Sequence, residues 1–360
     1  MIRVGIVGAS GWANAAHLPA LAGLDEYAVT AVATTRRASA EAVAAAHGVP
    51  HALTDTAALV AHPEVDLVVV SVRAAGHAAV IRAALAAGKD VLSEWPLGVD
   101  AAEAEDLARA AEAAGVRHAV NLQGHWSPDA RFLADLLAAG RIGRLEAAVL
   151  VAAGDPLGGA RIAPELEWST DPAGGTSLLT VMAGHFLAVL HRVAGPLVEL
   201  SARLPGAREH VEVVGTGRTV RNGVPAHLML LGTLENGAAA SVTVHGGSGT
   251  PDGFLLRLVG SAGTLTATPA TRTRPGGYPH WTDWEIRLDG EPLEVPAAYR
   301  TVPFHPADGP VANVAALYRE FAAAAAANRP PHPDFRTAAA HHRLLAAVER
   351  SAATGTPQRP

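Results

Sequence analysis

The sequence predicts an α/β protein: an amino-terminal Rossmann domain with a doubly wound parallel sheet, then an α+β domain with one large, mainly antiparallel sheet and helices on one face. Three observations carry this. Over residues 1–125, short β-rich runs alternate with longer Ala-rich stretches of helical period, the pattern of repeated βαβ units. A glycine turn follows the first of those runs. Beyond Ser127 the strand-like runs are separated by Gly, Pro and Asn, as in an antiparallel sheet.

In chain order, the strand candidates of the first domain are Ile2–Val7, Ala28–Ala33, Leu67–Val72, Asp90–Leu92 and His118–Asn121. Between them, Ala15–Ala22, Ala38–Ala46, Ala74–Ala87 and Ala101–Ala114 have the alanine and leucine content of crossover helices. The second domain, 126–360, opens with the amphipathic Pro128–Ala139, stopped by Gly140. Its strand candidates are Leu145–Ala152, Leu197–Ala202, Ala226–Leu234, Ala238–Val244 and Phe254–Val259. Helical periodicity returns at Ser177–Ala194, Val311–Ala327 and Thr337–Ser351, the closing helices being free to pack back on the first domain. The stretch Thr268–Pro306, rich in Pro, Gly and aromatics, reads as loop with a short strand at Glu285–Leu288.

With 360 residues, 49% hydrophobic and 17% charged, the chain has the size and apolar content for two cores. The apolar residues fall in short runs, so no membrane span is expected, and the first residues show no export signal. Cysteine is absent, which excludes disulfides, thiolate metal sites and cysteine nucleophiles. A cytoplasmic location is the simplest expectation. A net charge of −6 with no Lys/Arg block gives no footprint for nucleic acid. Of the 28 basic side chains only Lys89 is lysine.

The run Ile2–Val7 enters Gly8-Ala9-Ser10-Gly11-Trp12 and then a helix. Gly8 permits a tight turn, and the small residues after it let backbone N–H groups and the helix N-terminus approach a pyrophosphate. Ser10 stands where a second glycine is usual, so an ordinary strand-to-helix turn is the alternative. After the second strand, an acid that would bind the ribose of NAD is replaced by Thr34-Thr35-Arg36-Arg37. Two arginines beside hydroxyls suit a 2′-phosphate, which favours NADP over NAD.

Several motifs together resemble the Gfo/Idh/MocA family of oxidoreductases, named for glucose-fructose oxidoreductase and inositol dehydrogenase. They are the amino-terminal turn, Ala87-Gly88-Lys89-Asp90-Val91 leading to Glu94-Trp95-Pro96, Gly140-Arg141-Ile142-Gly143-Arg144, and Asp334-Phe335 followed by His342-Arg343-Leu344-Leu345. Gly11-Trp12-Ala13, His17-Leu18-Pro19-Ala20-Leu21, Glu94-Trp95-Pro96-Leu97-Gly98 and Leu122-Gln123-Gly124 are similar to the branch that resembles the fungal galactose-pathway repressor. The resemblance covers nearly the whole chain. It implies an open-faced sheet holding a sugar or cyclitol beside a nicotinamide, with Val72, Arg73, His77, Glu94, Trp95 and Pro96 lining the cofactor. A sheet with helices on one face leaves apolar strands such as Leu228–Leu234 and Ala238–Val244 uncovered on the other, so a homodimer or homotetramer is expected.

The resemblance also exposes losses. Family dehydrogenases carry Glu-Lys-Pro, whose lysine protonates the reacting oxygen; here that position is Trp95, and Lys89 lies before the motif. The family's Asp-x-Gly-x-His run becomes Val181-Met182-Ala183-Gly184-His185, and the acid often found three residues later is Ala188. His185 is the surviving catalytic candidate, with a buried structural histidine as the alternative. Gln123, His125 and Asp129 follow the last parallel strand, at the edge where open α/β sheets bind ligands. No metal site is expected, since the other histidines, His305 and His341-His342 included, lack metal spacing with acids. Gly247-Ser248-Gly249 lacks the spacing of a serine nucleophile elbow.

Two functions follow. One is an NAD(P)-dependent oxidoreductase for a sugar-like or small cyclic substrate, with the proton handled by His185, a substrate group or water. The other is a dinucleotide-binding regulator without turnover. Non-redox chemistry with a bound nicotinamide is a third possibility.

Overall fold

The computed structural model describes residues 1–154, 157–206, 208–247, 253–270, 278–305 and 309–360. The chain divides into two compact units, Met1–Leu122 with Val302–Ala340 and Gln123–Thr301 with His341–Pro360.

The first unit holds six parallel strands: β1 (Ile2–Val7), β2 (Tyr27–Ala33), β3 (His51–Leu53), β4 (Leu67–Val70), β5 (Asp90–Glu94) and β6 (His118–Asn121). Their order, β3-β2-β1-β4-β5-β6, is the doubly wound arrangement. Helices α1 (Leu18–Ala22), α2 (Arg37–His47), α3 (Thr56–Val60), α4 (His77–Ala86) and α5 (Ala101–Ala114) connect them. β4 reads Leu-Val-Val-Val and is buried at every residue. Helices on both faces of a parallel sheet remove water from both sides, so its strand is apolar without alternation. The winding changes direction between β1 and β4, which opens a crevice at their carboxyl ends. β3 and α3 are absent from the sequence expectation, because three- and five-residue elements are too short to show a period. The first helix differs as well: Ala13–His17 is a π-helical turn that passes into α1.

The second unit contains α6 (Pro128–Ala138), β7 (Leu145–Ala153), β8 (Arg161–Ile162), α7 (Gly184–Ala194), β9 (Leu197–Arg203), β10 (His210–Val213), β11 (Arg218–Arg221), β12 (His227–Leu234), β13 (Ala239–His245), β14 (Phe254–Gly260), β15 (Gly263–Pro269), β16 (Trp284–Leu288) and β17 (Glu291–Leu293). Eight strands form one sheet in the order β17-β16-β15-β14-β7-β13-β12-β9. All its pairings are antiparallel except β7 with β13. Residues alternate between a buried face and an exposed one, as a sheet covered on one side requires. β8, β10 and β11 make a separate three-stranded sheet that the sequence does not reveal, since none exceeds four residues. β15 and β17 were likewise not expected. Ser248 and Gly249 lie outside the described residues, as do 271–277 and 306 of the expected loop.

The expected helix Ser177–Ala194 opens with a π-helical turn, Leu178–Ala183, before α7, and Ser177 and Thr180 form a capping box at its start. By length and composition Pro172–Ala194 could cross a bilayer, but 78% of its apolar window is buried inside the protein, which makes it a core helix.

The chain closes with α8 (Val311–Ala326) and α9 (Phe335–Thr354). The sequence assigns 126–360 to the second domain with the closing helices free to pack back on the first, and the stretch Val302–Ala340 clusters with the first unit. Tyr318 of α8 explains this, because it meets His17 edge-on at 5.8 Å and Tyr27 at 5.2 Å between ring centroids.

Candidate functional site

In the first unit, Gly8 ends β1 with φ +86°, a conformation that favours glycine. A Cβ there would lie 2.4 Å from the Ser71 carbonyl oxygen and 2.9 Å from Val72 Cγ1, so only glycine lets the ends of β1 and β4 pass this closely. The N–H groups of Gly8 and Ala9 both donate to the Ala33 carbonyl, at 2.9 and 3.3 Å, which ties the turn to β2. Gly11 also has positive φ, and a Cβ built on it would meet nothing within 4 Å. Ser10 and Gly11 are exposed, while Ala9 is buried beneath them and Trp12 is partly buried. Ser71 Oγ, beside Gly8, is buried with no hydrogen-bond partner among the described residues. A close backbone approach at the switch point, open space over Gly11 and a hydroxyl awaiting a partner fit a dinucleotide phosphate.

At the end of β2, Thr34 Oγ1 donates to the Arg36 carbonyl at 2.9 Å, and Thr35 is exposed. The two arginines differ. Arg37 Nη1 donates to the Ala52 carbonyl at 2.7 Å, and its Nε lies 3.9 Å from Glu41. Arg36 is exposed in extended backbone at the cap position of α2. Arg37 is thus engaged by its neighbours.

Val72 is partly buried and Arg73 exposed. His77 is buried, with Nδ1 2.9 Å from the Pro96 carbonyl and Nε2 3.0 Å from that of Val72. Burial lowers its pKa. Both ring nitrogens face main-chain oxygens, and the neutral ring donates to one of the two.

Glu94 belongs to a buried chain of hydrogen bonds. Its Oε1 accepts from His17 Nε2 and Asn121 Nδ2, each at 2.6 Å. With that proton on Nε2, His17 Nδ1 accepts from the Tyr318 hydroxyl at 2.7 Å. Desolvation holds the Tyr318 phenol well above its usual range. Glu94 is thus committed to holding β5, the glycine-turn helix and α8 together. Trp95, next to it, is only 4% exposed. Lys89 is fixed at the opposite edge of the sheet, donating to the Val65 and His62 carbonyls at 2.7 and 3.3 Å. The one lysine is held away from the β5 turn.

In the second unit, His185 sits in the first turn of α7, buried and stacked on His280 at 4.4 Å and 7°. His280 also faces Tyr278, Trp281 and Phe186 at 5.3–5.8 Å. Burial first, then the neighbouring His185, holds the His280 pKa well below the usual histidine value. Two imidazolium charges 4.4 Å apart would repel by about 4 kcal/mol at an effective dielectric of about 20. The two rings therefore do not both carry a charge. Gln123 is buried and accepts from Trp281 Nε1 at 2.6 Å. A Cβ on Gly124 would come within 2.3 Å of Val189 Cγ2 and 3.0 Å of His280 Cβ, so glycine lets the Tyr278–Trp284 stretch lie on α7. His125 is partly buried, its ring 6.0 Å from Trp126. Asp129 accepts from the Trp284 N–H at 3.3 Å, and its Oδ2 has no partner among the described residues. Burial raises its pKa to about 6.

His185, Gln123 and Asp129 are thus joined through one aromatic stretch, 278–284. His280 and Trp281, which make that link, were not expected. The available signal was the aromatic cluster Tyr278-Pro279-His280-Trp281 inside a presumed loop.

Residues 2–122 match the family described as the Gfo/Idh/MocA oxidoreductase family with an NAD-binding Rossmann fold. Residues 128–268 match the C-terminal domain of Gal80p. Among curated relatives, dehydrogenase aclE of Aspergillus oryzae is 33% identical over 212 residues, 56% of this chain and 57% of that protein. The dTDP-3,4-didehydro-2,6-dideoxy-alpha-D-glucose 3-reductase of Actinomadura kijaniata is 32% identical over 231 residues, 63% of this chain and 67% of that protein. The crystal structure of a super-repressor mutant of Gal80p from Saccharomyces cerevisiae superposes with a TM-score of 0.87 at 22% identity, covering 99% of this chain and 97% of that one. The chain belongs to the Gfo/Idh/MocA oxidoreductase family, in the branch that resembles Gal80p.

Proposed function

We propose that the protein is an NAD(P)-dependent oxidoreductase acting on a carbinol or carbonyl group of a sugar-like or small cyclic substrate. The carrying observation is the Gly8 turn, where the backbone passes Ser71 too closely for any side chain and a buried hydroxyl stands ready. Relatives named as a dehydrogenase and a sugar-nucleotide reductase support the class of reaction. When bound, the nicotinamide supplies or accepts the hydride. His185 exchanges the accompanying proton with the substrate oxygen. Gln123 and His125 orient the substrate. Trp95 has no ionisable proton, so it packs and does not act as the acid.

NADP is the preferred cofactor, through Arg36. Titration calorimetry is expected to show tighter binding of NADP than of NAD, with Arg36→Ala removing most of the difference. Equal affinities in the wild type would contradict the assignment.

A second reading, a dinucleotide-dependent regulator without turnover, is favoured by one observation: the residue at the lysine position is a buried tryptophan. The Gal80p-like second half is compatible with it.

The protein works as a homodimer or a tetramer built from dimers. On the open sheet face, Met229 is 53% and Leu231 65% exposed, and Met229, Thr243 and Val151 lie in one row across β12, β13 and β7. Such an apolar face is stabilised by a second copy. Light scattering is expected to show a dimer or larger at micromolar concentration, and Leu231→Arg to shift it toward monomer. A monomeric wild type would contradict this.

A further inference from the structure

At the amino edge of the first unit's sheet, three metal-competent side chains converge from two segments. His51 opens β3, and His62 and Glu64 lie in the turn between α3 and β4. One ligand atom from each lies within 4.8 Å of the others. His51 Nε2 is 2.7 Å from Glu64 Oε2, and the His51 and His62 rings pack at 4.2 Å between centroids.

The turn that presents them is firmly held. Thr30 Oγ1 donates to the Glu64 carbonyl at 2.6 Å, and Lys89 Nζ donates to the carbonyls of His62 and Val65. Arg3 is paired with Asp66 at 2.6 Å. Lys89 and Arg3 are thus each hydrogen-bonded to other oxygens. The Glu64 N–H donates to His62 Nδ1 at 3.2 Å, which orients the His62 ring within the turn.

We propose that His51, His62 and Glu64 form a Zn2+-binding site. Two imidazoles and a carboxylate suit Zn2+, whereas Ca2+ and Mg2+ require mostly oxygen ligands. A tetrahedral Zn2+ with bonds of about 2.0–2.2 Å sets its ligand atoms roughly 3.4 Å apart, which small rotations of these partly exposed side chains achieve. Water fills the fourth position. The metal ties the start of β3 to the turn before β4, at the sheet edge opposite the Gly8 turn, so Zn2+ and dinucleotide binding are separable. Spacing along the chain does not reveal the site, because its ligands come from two segments that folding brings together.

Zn2+ titration calorimetry on untagged protein is expected to give one saturable site, and His51→Ala and His62→Ala are each expected to weaken it at least about tenfold. Glu64→Gln, which preserves size and the turn, is expected to do the same. Circular dichroism and dinucleotide titration check that each variant is folded. Absence of saturable Zn2+ binding, or unchanged binding in a folded His51→Ala/His62→Ala protein, would overturn the proposal.

Discussion

Replacing His185 with alanine is expected to lower turnover at least about a hundredfold while leaving dinucleotide affinity unchanged. The size follows from the typical value of a positioned proton donor, roughly 10²–10⁴-fold in rate. With Trp95 at the lysine position and Lys89 fixed at the far sheet edge, no amine shares the task. Because the lost interaction acts in the transition state, kcat and kcat/KM are expected to fall together. Alanine also removes a ring from a buried stack with His280, so His185→Gln separates the two effects: it refills much of the volume but cannot ionise at neutral pH. Steady-state kinetics is expected to find both variants impaired. Near-normal turnover in His185→Gln would make the histidine a packing residue.

Asp129→Asn is expected to stabilise the folded protein at neutral pH by about 3 kcal/mol, since the folded pKa of about 6 stands some two units above its ordinary value. The sign follows from linkage. A carboxyl whose folded pKa is raised binds its proton more tightly folded than unfolded, so its stabilising contribution is complete below about 4 and is lost as pH rises through about 6. Asparagine keeps the acceptor for the Trp284 N–H and carries no charge. The buried histidines act in the opposite sense: His191 and His341, lowered by burial to about 3 and about 4, stabilise the fold above the ordinary histidine pKa and lose that contribution as pH falls. Wild-type stability is a sum of these opposing trends, and the difference between the two proteins isolates Asp129. Denaturant unfolding from pH 4 to 7 is expected to show a gap that opens with rising pH. A constant gap would contradict a buried carboxylate as its cause.

What the sequence reveals depends on the reach of each interaction. β4 is legible because four successive buried aliphatics record a strand covered on both faces, and Gly8 because a backbone contact there excludes every side chain. The first is a local pattern, and the second is written into the one residue type that the Ser71 contact permits. His77 is legible as a residue near the cofactor loop, but its engagement with two carbonyls depends on where the Pro96 turn falls. Nothing near Glu94 in the chain announces Tyr318, which reaches it through His17 from α8. Arg36 and Arg37 look alike in sequence; only the proximity of Ala52 and Glu41 separates them. His280 stayed hidden because its stretch has no period and acquires structure by packing on Gln123, Gly124 and α7.

The most direct measurement follows the hydride itself. Wild-type protein is loaded with reduced NADP carrying deuterium at the transferable position, exposed to a panel of keto sugars and small cyclic ketones, and the products are read by mass spectrometry. Deuterium is predicted to appear on the carbinol carbon of at least one product, and to be largely lost from that product with His185→Ala at equal occupancy of the cofactor. Stoichiometric binding of the dinucleotide with no deuterium in any product across the panel would contradict an oxidoreductase and leave the regulator in its place.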